Sequence, residues 1–404
     1  MPVPSVGAAI AALGLTQIVG WGTTHYLPAI LADSIAGGIG ASPTLVLGAF
    51  SWGLLVAGAS ARASGRLMDR HGARAVMTIA SLLVALGLLA MSFARGWPLL
   101  FAGWTLIGLA MRSVLYDGAF AAMASLAGPG ARRAISLLTL FGGLASTVFW
   151  PLGGWLDSVY GWRTTLQVYA LLNVVPCALL HARFAGNRRT TVAQAHEANP
   201  AASPIGLEAR HAQAALQLAA LAFTLHAFVQ SAMAAHLVQL LAGFGFGAAV
   251  AVSAASLMGV AQVLARIGEM ALQRRLSAVA VSVPSVALLP AAFAVALALP
   301  PSPTSAALFV LLYGCANGLM TVVRGALPLA VFGSVGYAEL LGRIAGPGFV
   351  AAAAAPVLFS ALIEAAGPAA GLALLGVLSL GALGAIVVLA GLTRRASSST
   401  SLSR

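Results

Sequence analysis

Long apolar runs follow one another along the whole chain, separated by short polar connections. Each run has about 20 residues, the length that an α-helix needs to cross the hydrocarbon core of a bilayer. A helix satisfies its backbone hydrogen bonds internally, as a segment surrounded by lipid must. Only 7% of the 404 residues are charged, against about 25% in soluble globular proteins. The sequence therefore predicts an all-α polytopic membrane protein.

Hydropathy divides the chain into twelve predicted transmembrane helices, called spans one to twelve here. They are expected at residues 7–31, 44–62, 75–94, 98–124, 134–156, 163–184, 213–240, 247–270, 278–299, 305–330, 344–364 and 369–392. The pattern predicts two pseudo-symmetric six-helix bundles, residues 1–185 and 212–393, joined by a polar cytoplasmic linker, 186–211. Residues 394–404 are Ser-rich and predict a disordered cytoplasmic tail.

The arginines indicate the orientation of the chain in the membrane. With the N-terminus inside, the inward-facing segments hold sixteen arginines, and the outward-facing segments hold only Arg95 and Arg163. Because Lys and Arg in short loops stay on the cytoplasmic side, both termini are expected in the cytoplasm and the chain in the cell (inner) membrane. The net charge of +12 is spread over these loops, so we expect no nucleic-acid partner.

The connection after span two concentrates charge and turn residues. It reads Gly-Arg-Leu-Met-Asp-Arg-His-Gly-Ala-Arg from Gly65 to Arg74. Gly65 and Gly72 predict a tight reversal between two helices, and the arginines hold the connection on the cytoplasmic side. A basic turn that only fixes the topology is the alternative to a functional role.

The pattern G-x-L-x-D-R-x-G-x-R between spans two and three resembles the cytoplasmic loop motif of the major facilitator superfamily. In that motif a basic residue often follows the second glycine, where this chain has Ala73. The resemblance extends over the whole chain and implies a secondary transporter that works by alternating access. It also implies a cytoplasmic gate, in which Asp69 meets the start of a helix from the other half. The residues of this gate would be Gly65, Asp69, Arg70, Gly72, Arg74 and Asp117.

Shorter stretches resemble the monocarboxylate-porter-like branch of that superfamily. Gly20-Trp21-Gly22 is similar to the first-helix pattern of the branch, although Gln17-Ile18-Val19 stands where an acidic residue is expected. Residues 132–136 resemble the entrance to its fifth helix. After span eight, residues 268–275 repeat the loop motif in degraded form, which indicates an internal duplication.

Two arginines lie within predicted spans at related positions, Arg112 in span four and Arg324 in span ten. A charge at the centre of a bilayer costs about 2.5–3.5 kcal/mol on insertion scales, so each is expected to face a ligand or a partner. Together they would hold one anionic group; structural pairing with a carboxylate or with helix carbonyls is the alternative. Asp117 lies about 140° from Arg112 around a continuous helix. The two are therefore not expected to share a face. Asp117 lies nearer the cytoplasmic end of span four, where the resemblance implies that it meets Arg70 or Arg74 of the loop; a proton carrier is the alternative.

Tyr26, His226 and Gln230 complete the predicted substrate site. His226 and Gln230 are four residues apart on one face of span seven, and an imidazole exchanges protons near neutral pH. Packing and satisfied polar contacts are the alternatives for all three. The chain has no phosphate-binding loop for ATP and no cluster of metal ligands. We expect no cofactor, no metal and no enzyme activity.

The motif and the buried cations together imply a proton-coupled transporter of a small organic anion, such as a monocarboxylate. Its partners would be the substrate, protons and the lipid bilayer, and the working state a monomer. The alternative is an efflux pump for a drug-like or metalloid toxic compound, because Gly142 to Gly154 resembles a fifth-helix motif of antiporters. A sensor built on a transporter fold is disfavoured, since the linker and tail are too short for a signalling domain.

Overall fold

The computed structural model describes residues 5–186, 209–243, 248–273 and 275–402, and every regular element in these residues is helical. The helices are α1 (Val6–Thr23), α2 (Leu27–Ile39), α3 (Pro43–His71), α4 (Ala73–Ser92), α5 (Trp97–Val114), α6 (Tyr116–Leu126), α7 (Ala131–Gly143), α8 (Ala145–Leu172), α9 (Leu179–Phe184), α10 (Ala209–Gly243), α11 (Ala248–Leu272), α12 (Ala278–Ala298), α13 (Pro303–Phe332) and α14 (Tyr337–Leu402). A 3₁₀ turn, Gly128–Gly130, links α6 to α7, and a π-helical turn, Asn173–Ala178, links α8 to α9.

The helices have the length and composition of a multi-pass membrane protein, which confirms the predicted fold class. Nine segments of the described residues are apolar enough to cross a membrane. Two of these, Gly128–Phe184 and Tyr337–Arg395, have 57 and 59 residues, enough to cross a core of about 30 Å twice. Non-helical glycines divide them, Gly161 in the first and Gly367 in the second. Counted as two crossings each, and with α11 added, the segments give the predicted twelve.

Three of the predicted spans are interrupted, and one of them, span five, is divided between α7 and α8 at Leu144. Span one is divided between α1 and α2 at residues 24–26. Span four is divided between α5 and α6 at Leu115, whose backbone is extended (φ −87°, ψ −164°). Gly118 follows this break by three residues, and a β-carbon there would collide with the backbone carbonyl of Ser113. Hydropathy alone does not predict the break.

The chain groups into two compact units. The first contains Met1–Pro200 and Ser334–Gly346, and the second contains Ala201–Gly333 and Pro347–Arg404. The division after Pro200 falls within the predicted linker, of which residues 187–208 lie outside the described part of the chain. The start of α14 belongs to the first unit because it packs closely against α3.

A buried histidine joins three helices of the first unit. His181 of α9 is 1% exposed. Its Nδ1 atom lies 2.8 Å from Ser81 Oγ of α4, and its Nε2 atom lies 2.9 Å from Thr16 Oγ1 of α1. Both ring nitrogens therefore have partners, as buried polar groups require, and His181 holds these helices together.

An aromatic core fixes α13 in the second unit. The ring of Phe293 on α12 lies 5.9 Å from that of Phe309 and 6.3 Å from that of Tyr313, measured between centroids. All three side chains are nearly or fully buried. Such ring pairs contribute about 0.5–1.5 kcal/mol beyond the area that they bury. They hold in place the helix that carries Arg324.

The last helix is longer than predicted. α14 continues to Leu402, whereas the sequence predicts a disordered tail from residue 394. Extending an existing helix is far more favourable than starting one. The polar residues after the last span therefore continue the helix.

Candidate functional site

Asp69 lies in the last turn of α3 and binds the first turn of α14. Its Oδ1 atom accepts a hydrogen bond from the backbone N–H of Ala338 (3.3 Å), and its Oδ2 atom accepts one from that of Glu339 (2.7 Å). The first N–H groups of a helix have no partner within it, and the helix dipole favours a carboxylate there. Asp69 thus makes the contact with a helix start that the motif implies.

The two glycines of the motif have different structural roles. Gly72 makes the reversal between α3 and α4 with φ 87° and ψ 153°, a conformation that glycine adopts without steric cost. Gly65 is helical, and a β-carbon there would collide with the backbone carbonyl of Ala338. The prediction that Gly65 also forms the turn was wrong, because α3 continues unbroken to His71. Gly65 instead lets the backbone of α14 approach α3.

The other charges of the motif surround this contact. Arg62 Nε donates to Glu339 Oε1 at 2.9 Å, with side chains that are 60% and 30% exposed, so this ion pair contributes little. Arg70 lies in the last turn of α3 and is exposed, while Arg74 in the first turn of α4 is half-buried. The pairing of Asp117 with Arg70 or Arg74 stays a prediction.

Asp117 forms an ion pair with Arg112, which corrects the expectation that the two do not meet. Arg112 Nη1 donates to Asp117 Oδ2, and the side chains are only 2% and 7% exposed. The angle of about 140° between the two side chains applies only to a continuous helix. The extended backbone at Leu115 interrupts the helix, so that angle does not apply here. Arg112 lies in the last turn of α5 and Asp117 in the first turn of α6, where the two helix dipoles favour these charges.

Gln17 of α1 contacts the break in span four. Its Nε2 atom donates to the backbone carbonyl of Val114 at 2.9 Å, and the side chain is fully buried. The last carbonyls of a helix have no partner within it, and Val114 ends α5. Sequence reasoning missed this residue, since the two positions are 97 residues apart.

The Arg112–Asp117 pair lines a small pocket beside the Asp69 contact. Eight residues of the first unit line it: Ser64, Gly65, Met68, Arg112, Ser113, Asp117, Gly118 and Ala338. The structure therefore brings Arg112, predicted to bind substrate, together with three elements of the predicted gate region: α3, Asp117 and the start of α14.

The second unit has a group of polar side chains around the half-buried Arg324, here called the Arg324 cluster: Arg324 and Asn317 of α13 with His226 of α10. His226 shares a side-chain hydrogen bond with Asn317 and lies within reach of the charge of Arg324. His226 and Asn317 are 8% and 6% exposed. The Nδ1 atom of His226 and the Oδ1 atom of Asn317 are buried and have no hydrogen-bond partner among the described residues. Buried polar atoms are normally satisfied, so this cluster is suited to a polar ligand.

Asn317 was not among the predicted site residues, although its position could have indicated it. It lies seven residues before Arg324, which is close to two helical turns and thus on one face of α13. Gln230, predicted to act with His226, is exposed whereas His226 is buried. The two side chains therefore have different surroundings.

Tyr26 lies at the break in span one, within an aromatic group of the first unit. Its ring centroid is 5.7 Å from that of His25, 6.3 Å from that of Trp21 and 6.5 Å from that of Trp150. Its place in a substrate site stays a prediction. Arg112 and Arg324 belong to different units.

The sequence was also compared with known families and proteins. Residues 10–346 match the family model described as Major Facilitator Superfamily. The chain belongs to the major facilitator superfamily. This multi-pass membrane protein is therefore a transporter and not an enzyme. No curated protein matches the transporter by sequence.

Solved structures of other proteins share the fold of the transporter. The human organic anion transporter MFSD10 (TETRAN) has a TM-score of 0.71 at 17% identity, covering 95% of this chain and 100% of that one. The E. coli fucose:proton symporter FucP has 0.67 at 16%, covering 98% and 100%. The proton:xylose symporter XylE, bound to 6-bromo-6-deoxy-D-glucose, has 0.69 at 12%, covering 94% of each chain. These likenesses concern the fold.

Proposed function

We propose that this secondary transporter moves a small organic anion, such as a monocarboxylate, by proton-coupled alternating access. The observation that carries the proposal is the Arg324 cluster. It combines a guanidinium, an imidazole and an amide, of which two buried polar atoms have no partner among the described residues. A guanidinium binds a carboxylate in two parallel hydrogen bonds. The description of MFSD10 as an organic anion transporter supports the same class of substrate.

Arg324 is a better candidate for the anion contact than Arg112. The charge of Arg112 is compensated by Asp117 within the first unit. Removing either partner would leave the other as an unpaired buried charge. We assign Arg112 to the gate region and Arg324 to the substrate. The sequence predicts that both arginines hold one anion; in this proposal Arg324 alone contacts it.

His226 is the candidate for proton coupling. An anion bound beside it favours the protonated imidazole, and by thermodynamic reciprocity proton uptake favours anion binding. His226 lies within reach of the charge of Arg324, so an anion bound to that arginine would also act on the imidazole. Substrate and proton would therefore bind together.

The contact of Asp69 with α14 would be the cytoplasmic gate. Asp69 binds two free N–H groups of a helix start, Gly65 allows the close approach, and Gly72 forms the turn behind them. The charge around this gate would also depend on Arg70, Arg74 and Asp117. With both termini in the cytoplasm, this end of the molecule faces the cell interior, and we place the transporter in the inner membrane as a monomer.

Isothermal titration calorimetry on the purified transporter tests the proposal. Small carboxylates are expected to bind the wild type, and Arg324→Gln is expected to weaken binding about tenfold or more, because a charge-assisted pair contributes about 1.5–3 kcal/mol. Arg95→Gln removes the same charge from an exposed connection and is expected to leave binding unchanged. Binding of an amphipathic drug or arsenite, with no carboxylate response, would support the efflux alternative instead.

A further inference from the structure

The geometry points to Gln17 as a positioning residue of the transport cycle: its side-chain amide holds span four open at Leu115, so that Arg112 and Asp117 can pair beside the Asp69 contact. The inference rests on the proposed function only where flux is measured. The break itself, and the bond that supports it, are properties of the first unit alone.

Three observations connect Gln17 to the ion pair. Gln17 Nε2 donates to Val114 O at 2.9 Å, the carbonyl directly before the extended Leu115. Gly20, one turn further along α1, faces Leu115 at a distance that admits no larger residue without displacement, since a β-carbon there would lie 3.3 Å from Leu115 Cδ2. α1 therefore supports both residues of the break, and the break is what lets Arg112 meet Asp117.

The chemistry of the bond requires a donor that is always present. A side-chain amide carries two N–H donors at every pH, an ionised carboxylate carries none, and a protonated carboxyl carries one. Gln17 thus supports the break without taking up a proton. In Gln17→Glu the same contact would exist only with the carboxyl protonated, and it would be lost as the pH rises, when the ionised group faces the carbonyl oxygen of Val114.

Four titratable groups of the neighbouring elements already have partners, and a fifth, Tyr169 of α8, has a buried hydroxyl without a hydrogen-bond partner among the described residues. Arg112 and Asp117 lie across the break and pair with each other. Tyr116 of α6 donates to Thr139 O of α7 at 3.2 Å. His181 of α9 is bonded to Thr16, the neighbour of Gln17 in the chain. Their combined contribution to any pH response is measured with the wild type, so a new response in Gln17→Glu belongs to the introduced carboxyl.

The test compares four proteins in full-length form: the wild type, Gln17→Leu, Gln17→Glu and the control Gln167→Glu, which places the same carboxyl at an exposed position of α8 in the same unit. The first readout is hydrogen exchange of the backbone amides of residues 111–119, which needs no substrate. We expect exchange about tenfold faster in Gln17→Leu at every pH, in line with one lost hydrogen bond to a buried group. Gln17→Glu should match the wild type at low pH and Gln17→Leu at high pH.

The second readout is flux of a small carboxylate together with calorimetric binding. Gln17→Glu is expected to lose maximal flux as the pH rises while its binding constant for the anion stays within about twofold, since the Arg324 cluster is unaltered. Exchange rates for Gln17→Leu equal to the wild type, or pH profiles of Gln17→Glu and Gln167→Glu that coincide, would overturn the inference. If no carboxylate is transported by any of the proteins, the proposed function fails, and the exchange data still decide the role of Gln17.

Discussion

At the scale of single residues, Asp69 and Arg62 make neighbouring contacts to the same turn of α14 that differ greatly in strength. Asp69 accepts two hydrogen bonds from backbone N–H groups, and bonds to a charged group contribute about 1.5–3 kcal/mol each. Arg62 forms an exposed ion pair with Glu339, and such pairs contribute about 0.2–1 kcal/mol. The carboxylate, and not the surface ion pair, should hold this helix start.

Asp69→Asn is therefore expected to loosen the start of α14. The amide keeps one acceptor oxygen but loses the charge that favours the helix N-terminus. Hydrogen exchange of the segment 334–346 should accelerate about tenfold or more, whereas Arg62→Gln should change it less than about fivefold. Equal exchange in the two variants would mean that the Asp69 contact does not hold the segment.

The motif predicted the contact of Asp69 but not that of Arg112. Asp69 lies in a short stretch whose chemistry is local, a carboxylate at the end of one helix, so a pattern can indicate it. The pair of Arg112 with Asp117 depends on the backbone at Leu115, and that backbone depends on Gln17, 97 residues away. Angular spacing assumes a regular helix, and the assumption failed where the helix is held open from outside.

At the scale of the helices, hydropathy placed the spans, and the interruptions were missed. Spans one and four were predicted as single helices, and each is divided. The span boundaries can be predicted from apolar composition, because the thickness of the bilayer sets the length of each apolar run. At the interruption of span four, the polar side chain of Gln17 satisfies a freed backbone carbonyl, as breaks at proline and glycine in membrane helices also require. A one-dimensional pattern does not contain these pairings.

Span eleven offers a test of this principle in the second unit. Pro356 has no N–H to donate to the carbonyl of Ala352, four residues before it. Ser231 of α10 donates its hydroxyl to that carbonyl at 2.7 Å, and replaces the missing bond. Ser231→Ala is expected to cost about 1 kcal/mol of stability, measured by thermal unfolding in detergent.

The double variant provides the control for that cost. In a Pro356→Ala background the new N–H of residue 356 can reach the carbonyl of Ala352, so removing the Ser231 hydroxyl should cost clearly less. Such a coupling is expected for groups that share one partner. If Ser231→Ala costs the same in both backgrounds, the hydroxyl does not compensate for the proline.

At the scale of the whole molecule, the chain leaves the second unit after Gly333, contributes the segment 334–346 to the first, and returns. The two bundles joined by a linker at residues 186–211 stay a prediction, and this exchange of a segment was not predicted. The segment groups with the first unit because Asp69 binds the start of α14 and Gly65 lets the two backbones approach each other closely.

The most direct measurement is flux in proteoliposomes under an imposed pH gradient and without ATP. A labelled small carboxylate should accumulate inside the proteoliposomes with the wild type and with Arg95→Gln. This accumulation should disappear when a protonophore removes the gradient, and it should be about tenfold or more lower with Arg324→Gln. A transporter that moves an amphipathic drug or arsenite, ignores carboxylates and keeps full activity in Arg324→Gln would contradict the account, and Arg324 would then be structural.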